Sequence, residues 1–303
     1  TAFGYRAAYS NTSGNIAAFG YEAGYSNTEG TANTAIGRYR PLYSNTTGSS
    51  NTAIGGQAMY SNTTSGNNTA VGYLALYYND VSGINTVVGA QAAYNSTGGR
   101  IVAVGYNALY SNTTGSSNIA IGTPISGLSS TLGSNTTGIY NIAVGDSALG
   151  NNTTSSYNTA IGPMALYANT ASSNTAVGYQ AGYTNTTGAE NTYIGHSAGY
   201  TGTGSNNCFV GQGAGYSATG TQNTYIGKDA GVSMTSGSKN VIIGKYTGNN
   251  GGINIQTDSN HIVLSDGDGN PRLWMNSSGY LHSDPTYANT SGGAANVGIA
   301  SSG

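Results

Sequence analysis

The chain has 303 residues, of which 49 are glycine and only 6% are charged, with a formal net charge of −2. No basic run marks a nucleic-acid or anionic-membrane footprint, no apolar run approaches the ~18 residues of a membrane helix, and one cysteine cannot form an internal disulfide framework. Glycine-rich, weakly charged chains are often disordered, but β-branched residues recur here at fixed positions, which disordered tracts lack.

The recurring stretch is Asn-Thr-Ala-Ile-Gly, intact at 33–37 and 51–55. Its closing glycines are Gly4, Gly20, Gly37, Gly55, Gly72, Gly89, Gly105, Gly122, Gly145, Gly162, Gly178, Gly195, Gly211, Gly227 and Gly244. The steps are 16 to 18 residues, except for 23 between Gly122 and Gly145. A fixed short period means that each unit must stack on its neighbours to bury its apolar side. The reading is all-β: a parallel β-solenoid or β-roll of fifteen coils over residues 1–248. Fourteen steps of about 4.8 Å would give a rod of roughly 65–70 Å. The chain opens part-way through a repeat and lacks an initiator Met, so a longer parent protein is expected.

Before each glycine stands a large apolar residue, Phe3 and Phe19 and then Ile36, Ile54, Val71, Val88, Val104, Ile121, Val144, Ile161, Val177, Ile194, Val210, Ile226 and Ile243. Two residues earlier, Thr34, Thr52 and Thr69 give way to Val102, Ile119, Cys208 and Val241. The two positions share a parity, so they line one strand face, read here as the structural core with Cys208 buried in it. The intervening row is also apolar: Ala35, Ala53 and Ala70, then Tyr193, Phe209 and Tyr225. Strands apolar on both faces are covered on both faces. A thin column cannot cover the second face alone, so identical chains are expected to cover the Ala/Tyr side.

After the glycine, Tyr106–Tyr110 and its equivalents read as a second short strand, closed by Ser-Asn-Thr-Thr-Gly turns. Where the small Ala becomes Tyr193, Phe209 or Tyr225, a later position shrinks to Gly199, Gly215 or Gly231. Constant total volume predicts that these sites face each other, although Gly24 and Gly182 break the rule. Asn33, Asn51, Asn68, Asn85, Asn118, Asn141, Asn158, Asn174, Asn191, Asn207, Asn223 and Asn240 stand four before the glycines and suit an Asn ladder.

The 23-residue step holds an inserted loop at about 123–133. Residues 249–285 read as a β-hairpin cap anchored by Trp274, and 286–303 as a Gly/Ser-rich linker to a further module, with a faint strand at 296–299.

Catalysis is not expected. Asp266, Asp268 and Asn270 begin a calcium-loop spacing, but Pro271 stands where that loop needs Gly and Ser277 where it needs Glu, so a tight turn is the better reading. His196, His261 and His282 are scattered, no cofactor is implied, and Glu22 with Glu29 or Glu190 with Asp229 are the nearest approach to a carboxylate pair. The Asn-Thr-Thr triplets match glycosylation acceptors but sit where turns are required anyway.

The Asn-Thr-Ala-Ile-Gly repeats resemble those of trimeric autotransporter adhesin heads, which are left-handed parallel β-rolls assembled as trimers. The longer unit, such as Gly105–Gly115, and the tail Ile262–Arg272 with Ser277–Gly279 after it, are more similar to repeats in tail or capsid fibres of marine bacteriophages. The longer period departs from the adhesin heads. The resemblance implies a homotrimeric structural fibre on a virion surface, serving attachment to a host-surface glycan or protein, with no nucleic acid and no membrane insertion. Exposed Tyr5, Tyr21, Tyr73, Tyr106 and Tyr179 are then the candidate receptor contacts, by stacking on glycans. A bacterial trimeric surface adhesin or extracellular filament is the alternative. An ice-binding solenoid is a third reading, disfavoured by Val, Ile and Cys in the Thr row.

Overall fold

The computed structural model describes residues 1–80 and 83–283. It is all-β, a parallel β-solenoid with coils of about 17 residues. Most coils contribute one three-residue strand, such as Thr52–Ile54, Thr69–Val71 or Val102–Val104. Equivalent residues lie side by side in parallel register: Ala53 pairs with Ala70, and Ile54 with Val71. The stack runs from Ala2–Phe3 to Val241–Ile243 and continues onto Ile262–Ser265. The chain then doubles back in antiparallel pairings through Pro271–Met275 to Leu281–Ser283. The linker and faint strand anticipated at 286–303 lie outside the described residues.

The glycine closing each strand is there for space. A Cβ on Gly105 would sit 2.0 Å from the carbonyl oxygen of Gly122 one coil on, and its φ of +129° suits glycine alone. Every later coil could not approach so closely with a side chain at this corner.

The parity of the strand is the reverse of the one predicted. The Ala row points inward and is fully buried from Ala18 through Ala53, Ala103 and Ala176 to Tyr193, Phe209, Tyr225 and Ile242. The row assigned to the core stands on the outer face: Ile36, Ile54, Val88, Ile121, Ile161, Ile194, Ile226 and Ile243 are exposed, Ile243 by 44%. Val71, Val104, Val144, Val177 and Val210 in the same row are only half-buried. Cys208, in the Thr row beside it, is likewise half-buried rather than core. The reason is room. The opposite wall of the coil sends in two consecutive side chains, such as Ala75 and Leu76 or Ala108 and Leu109, all fully buried. Alanine fits opposite that pair, whereas a β-branched residue there would overfill the layer.

Two adjacent side chains cannot both point inward from a β-strand, whose faces alternate. The segment after the glycine is accordingly not the second strand expected. It is a run of turns in which Gln57 (φ 56°) and Met59 (φ 49°) are left-handed, as are Leu74 and Leu76 in the next coil. Non-glycine residues resist this conformation. Hydrogen bonds along the stack hold it here: Gln57 N donates to Tyr39 O at 2.8 Å in the coil before, and Met59 N to Ala75 O at 3.0 Å in the coil after.

Compensation between layers is visible atom by atom. A Cβ on Gly199 would lie 2.4 Å from the Tyr193 ring, and one on Gly215 2.4 Å from Phe209. The two exceptions to the size rule have neighbours from elsewhere: Gly182 abuts Tyr193 of the following coil, and Gly24 abuts the Ile16 side chain.

Two rows of asparagine run through the interior. In the row four before the glycines, each of the twelve Oδ1 atoms accepts from the backbone N of the equivalent residue one coil on, from Asn33 to Asn51 N at 2.9 Å through Asn240 to His261 N at 2.8 Å. A second row, hidden in the Ser-Asn-Thr turns, links side chain to side chain: Asn27 Nδ2 donates to Asn11 Oδ1, Asn45 to Asn27 and Asn62 to Asn45, each at 2.8 Å. Sequence reasoning took this row for simple turn formers.

The inserted segment packs against the coil wall. Leu132 fills the buried leucine position of its coil, and Thr123 N donates to Asp146 Oδ1 at 3.0 Å. Further round the coil a row of tyrosines stacks from coil to coil, as Tyr94 on Tyr110 and Tyr167 on Tyr183, and it is interrupted here, since Gly133 and Gly150 stand where those coils carry Tyr110 and Tyr167.

Candidate functional site

Three surface features offer themselves. The first is the outer strand face. From Thr52–Ile54 to Val241–Ile243 no strand contains Asp, Glu, Lys or Arg, so an uncharged stripe of Ile and Val runs the length of the stack. Exposed apolar surface this continuous marks an interaction site.

The second feature is the row directly after the closing glycines. Tyr5, Tyr21, Tyr73, Tyr106 and Tyr179 are all exposed there. Tyr5 stacks on Tyr21 with centroids 5.3 Å apart, and Tyr21 stacks on Tyr39 at 5.6 Å. Tyr179 is tilted against His196 at 5.1 Å. No ring stacks on Tyr73 from below, because the next position down is Gly56. The hydrogen-bond ladder proves the register: Tyr39 O accepts from Gln57 N, Gly56 O from Leu74 N, and Tyr73 O from Gln91 N. The result is a cleft of about 570 Å³ lined by Tyr21, Arg38, Tyr39, Gly56 and Tyr73.

Arg38 and Tyr39 reach that cleft through a bulge. Tyr21 pairs with Tyr39 rather than with the residue after Gly37, so Arg38 is the extra residue of its strand, Asn33–Tyr39. Arg38 is exposed and makes no hydrogen bond or ion pair among the described residues. Its neighbour Arg40 is fully engaged: Nε lies 2.6 Å from Glu22 Oε2, and the guanidinium lies over the Tyr39 and Tyr43 rings at 4.8 and 4.9 Å. The hydrogen bond to Glu22 drives the Arg40 pKa up, and Glu22 itself is buried. Sequence reasoning missed Arg38, Tyr39 and Gly56. The signal was the one 18-residue step, Gly37 to Gly55, which marks an extra residue.

The third feature is the turn at Asp266. Its carboxylate accepts from Asp268 N at 3.0 Å and Asn270 N at 2.9 Å, and pairs with Arg272. The backbone bond from Asn270, with the Asn270 and Arg272 side chains, holds its pKa well below the carboxylate range. Asp266, Asp268 and Asn270 are thus occupied with one another in a hairpin turn. Among the described residues no three His, Cys, Asp or Glu side chains cluster as metal ligands.

The remaining candidates lie apart. His261 is buried in the first asparagine row, and His282 stacks on Trp274 at 5.0 Å. Glu22 is committed to Arg40, and Glu190 Oε2 accepts from Asn206 Nδ2 at 2.5 Å. No described helix is present that could cross a membrane. The chain matches no family model, and neither a curated protein nor a solved structure is similar enough to count as a relative.

Proposed function

We propose that this chain is the shaft of a homotrimeric, non-enzymatic fibre on a virus particle, serving attachment to a host surface. The observation that carries the reading is the outward Ile/Val stripe. Its residues repeat once per coil from Ile36 to Ile243, and equivalent residues pair in register from coil to coil. A partner that covers such a stripe along its whole length needs the same spacing, and a parallel copy of the chain has it. Three narrow faces meeting on one axis would exclude water from all three stripes, and closed symmetry is the rule for homo-oligomers; the number three comes from the resemblance of the repeats to trimeric adhesin heads. The contact face in this reading is the Ile/Val side, not the Ala/Tyr side anticipated from the sequence.

Viral origin and attachment rest on the resemblance of the repeats to bacteriophage fibres, and extracellular location goes with them. Many weak contacts presented by three chains would gain strength through multivalency. A rod with Thr on its outer sheet could also order water. That row is interrupted by Val102, Ile119 and Ile142 in succession, which spoils the lattice such a role needs.

The experiment is to raise antibodies to the recombinant chain and label intact particles and host cells. The reading expects label on protruding fibres, and expects the soluble chain to compete with particle adsorption. Label confined to a bacterial cell surface, or adsorption unaffected by saturating chain, would overturn it.

A further inference from the structure

We propose that the cleft over Gly56 binds a hexuronic acid unit of a surface polysaccharide, its ring held between Tyr39 and Tyr73 and its carboxylate on Arg38. The proposal deepens the attachment reading and rests on it for the source of the polysaccharide.

The walls come first. Tyr39, Gly56 and Tyr73 are consecutive members of one row, so their backbones are two coil steps apart, about 9.6 Å, and the Tyr73 ring leans over Gly56. A flat aromatic guest needs about 7–8 Å, two optimal carbon contacts. A pyranose chair is thicker, and both of its faces carry C–H groups that pack on aromatic rings. The lower wall is rigid before any ligand arrives: Tyr39 rests on Tyr21, and Arg40, itself pinned by Glu22, touches its ring from outside the cleft. Preorganisation of this kind lowers the entropy lost on binding.

The charge comes next. Arg38 lines the cleft with no ion-pair partner among the described residues, and Glu22, next in the chain to the cleft residue Tyr21, is buried against Arg40. A guanidinium fork is shaped for a carboxylate. In a hexuronate the carboxylate is equatorial, so it points out between the walls while both ring faces stay free. A sugar with an axial carboxylate could not enter in this way. The same row has a second gap at Ala90, between Tyr73 and Tyr106, but no bulge delivers an arginine there. That gap serves as an internal control.

Closing the cleft should not harm the fold. Gly56 has no left-handed φ, and a Cβ there would meet nothing nearer than 3.4 Å, while Tyr, His and Gln occupy this row in other coils. The test is calorimetric titration of the full chain with a β-linked triglucuronate, whose linkages are all equatorial, and with its methyl ester. The acid is expected to bind, with the ester weaker by on the order of tenfold and Arg38→Gln weaker to a similar degree. Gly56→Tyr should abolish binding and Ala90→Tyr should leave it unchanged, with sedimentation confirming unaltered assembly of both variants. Binding that survives Gly56→Tyr, an ester that binds as well as the acid, or no binding of the acid would each overturn the proposal. Competition for particle adsorption by the soluble chain is measured separately, so the attachment reading can stand or fall without it.

Discussion

Asparagine succeeds inside this column because it carries a donor and an acceptor on one short side chain and can repeat both bonds by simple translation. Asn158 shows the pattern: its Oδ1 accepts from Asn174 N at 2.9 Å, while its own backbone N donates to Asn141 Oδ1 at 3.0 Å. Replacing Asn158 with Leu would leave the Asn174 N–H buried without that partner. We expect Asn158→Leu to lose about 1–3 kcal/mol, read as a lower denaturant midpoint. Packing is as exacting as bonding. Gly199→Ala drives a Cβ to 2.4 Å from the Tyr193 ring at a φ of +60°, and should cost about 1–3 kcal/mol. Tyr193→Phe should be neutral or stabilising, because the buried Tyr193 hydroxyl has no hydrogen-bond partner among the described residues.

Each coil is one element with unlike walls: a short strand, a left-handed turn run, and an asparagine corner. The turn run carries stacked tyrosines, Tyr43 on Tyr60 and Tyr60 on Tyr77, both with centroids 5.1 Å apart. Burial, aided by the Tyr78 side chain, pushes Tyr94 up to about 12 from the ordinary 10.0, and burial raises Tyr43, Tyr77 and Tyr200 as well. A raised folded-state pKa gives stability that is complete below the unfolded value and lost as pH rises through the folded one. The column should therefore hold its circular dichroism up to pH 10 and lose it as the pH climbs towards about 12. On the acid side Asp266 is held low, so its contribution is complete above the ordinary carboxylate pKa and is lost progressively as pH falls below it towards the folded-state value. With ten acidic residues in 303, acid has few other points of attack. At this scale the period was easily read, since glycine spacing and the Asn33 to Asn240 row repeat visibly. The turn run was not, because alternating left- and right-handed residues bury consecutive side chains such as Ala75 and Leu76 and leave no periodicity to recognise.

For the whole molecule the decisive question is which apolar face looks outward. Sequence pattern could not answer it, since Ala and Ile rows are both apolar and carry no polar contrast. Only the volume of Leu76 or Leu109 on the opposite wall selects Ala for the inside. The cleft at Gly56 was legible only as an 18-residue step whose meaning needs three coils stacked in register. With Ile and Val outside, the proposed trimer would close on this face. Ile161→Asp places a carboxylate in mid-stripe at a position 42% exposed in the single chain, so it should leave the coil folded while splitting the assembly. Sedimentation equilibrium of the unmodified full chain is the most direct measurement. A particle of three times the 30.4 kDa chain mass is expected, falling to one chain in Ile161→Asp. A stable monomer with its Ile/Val stripe in water would contradict it.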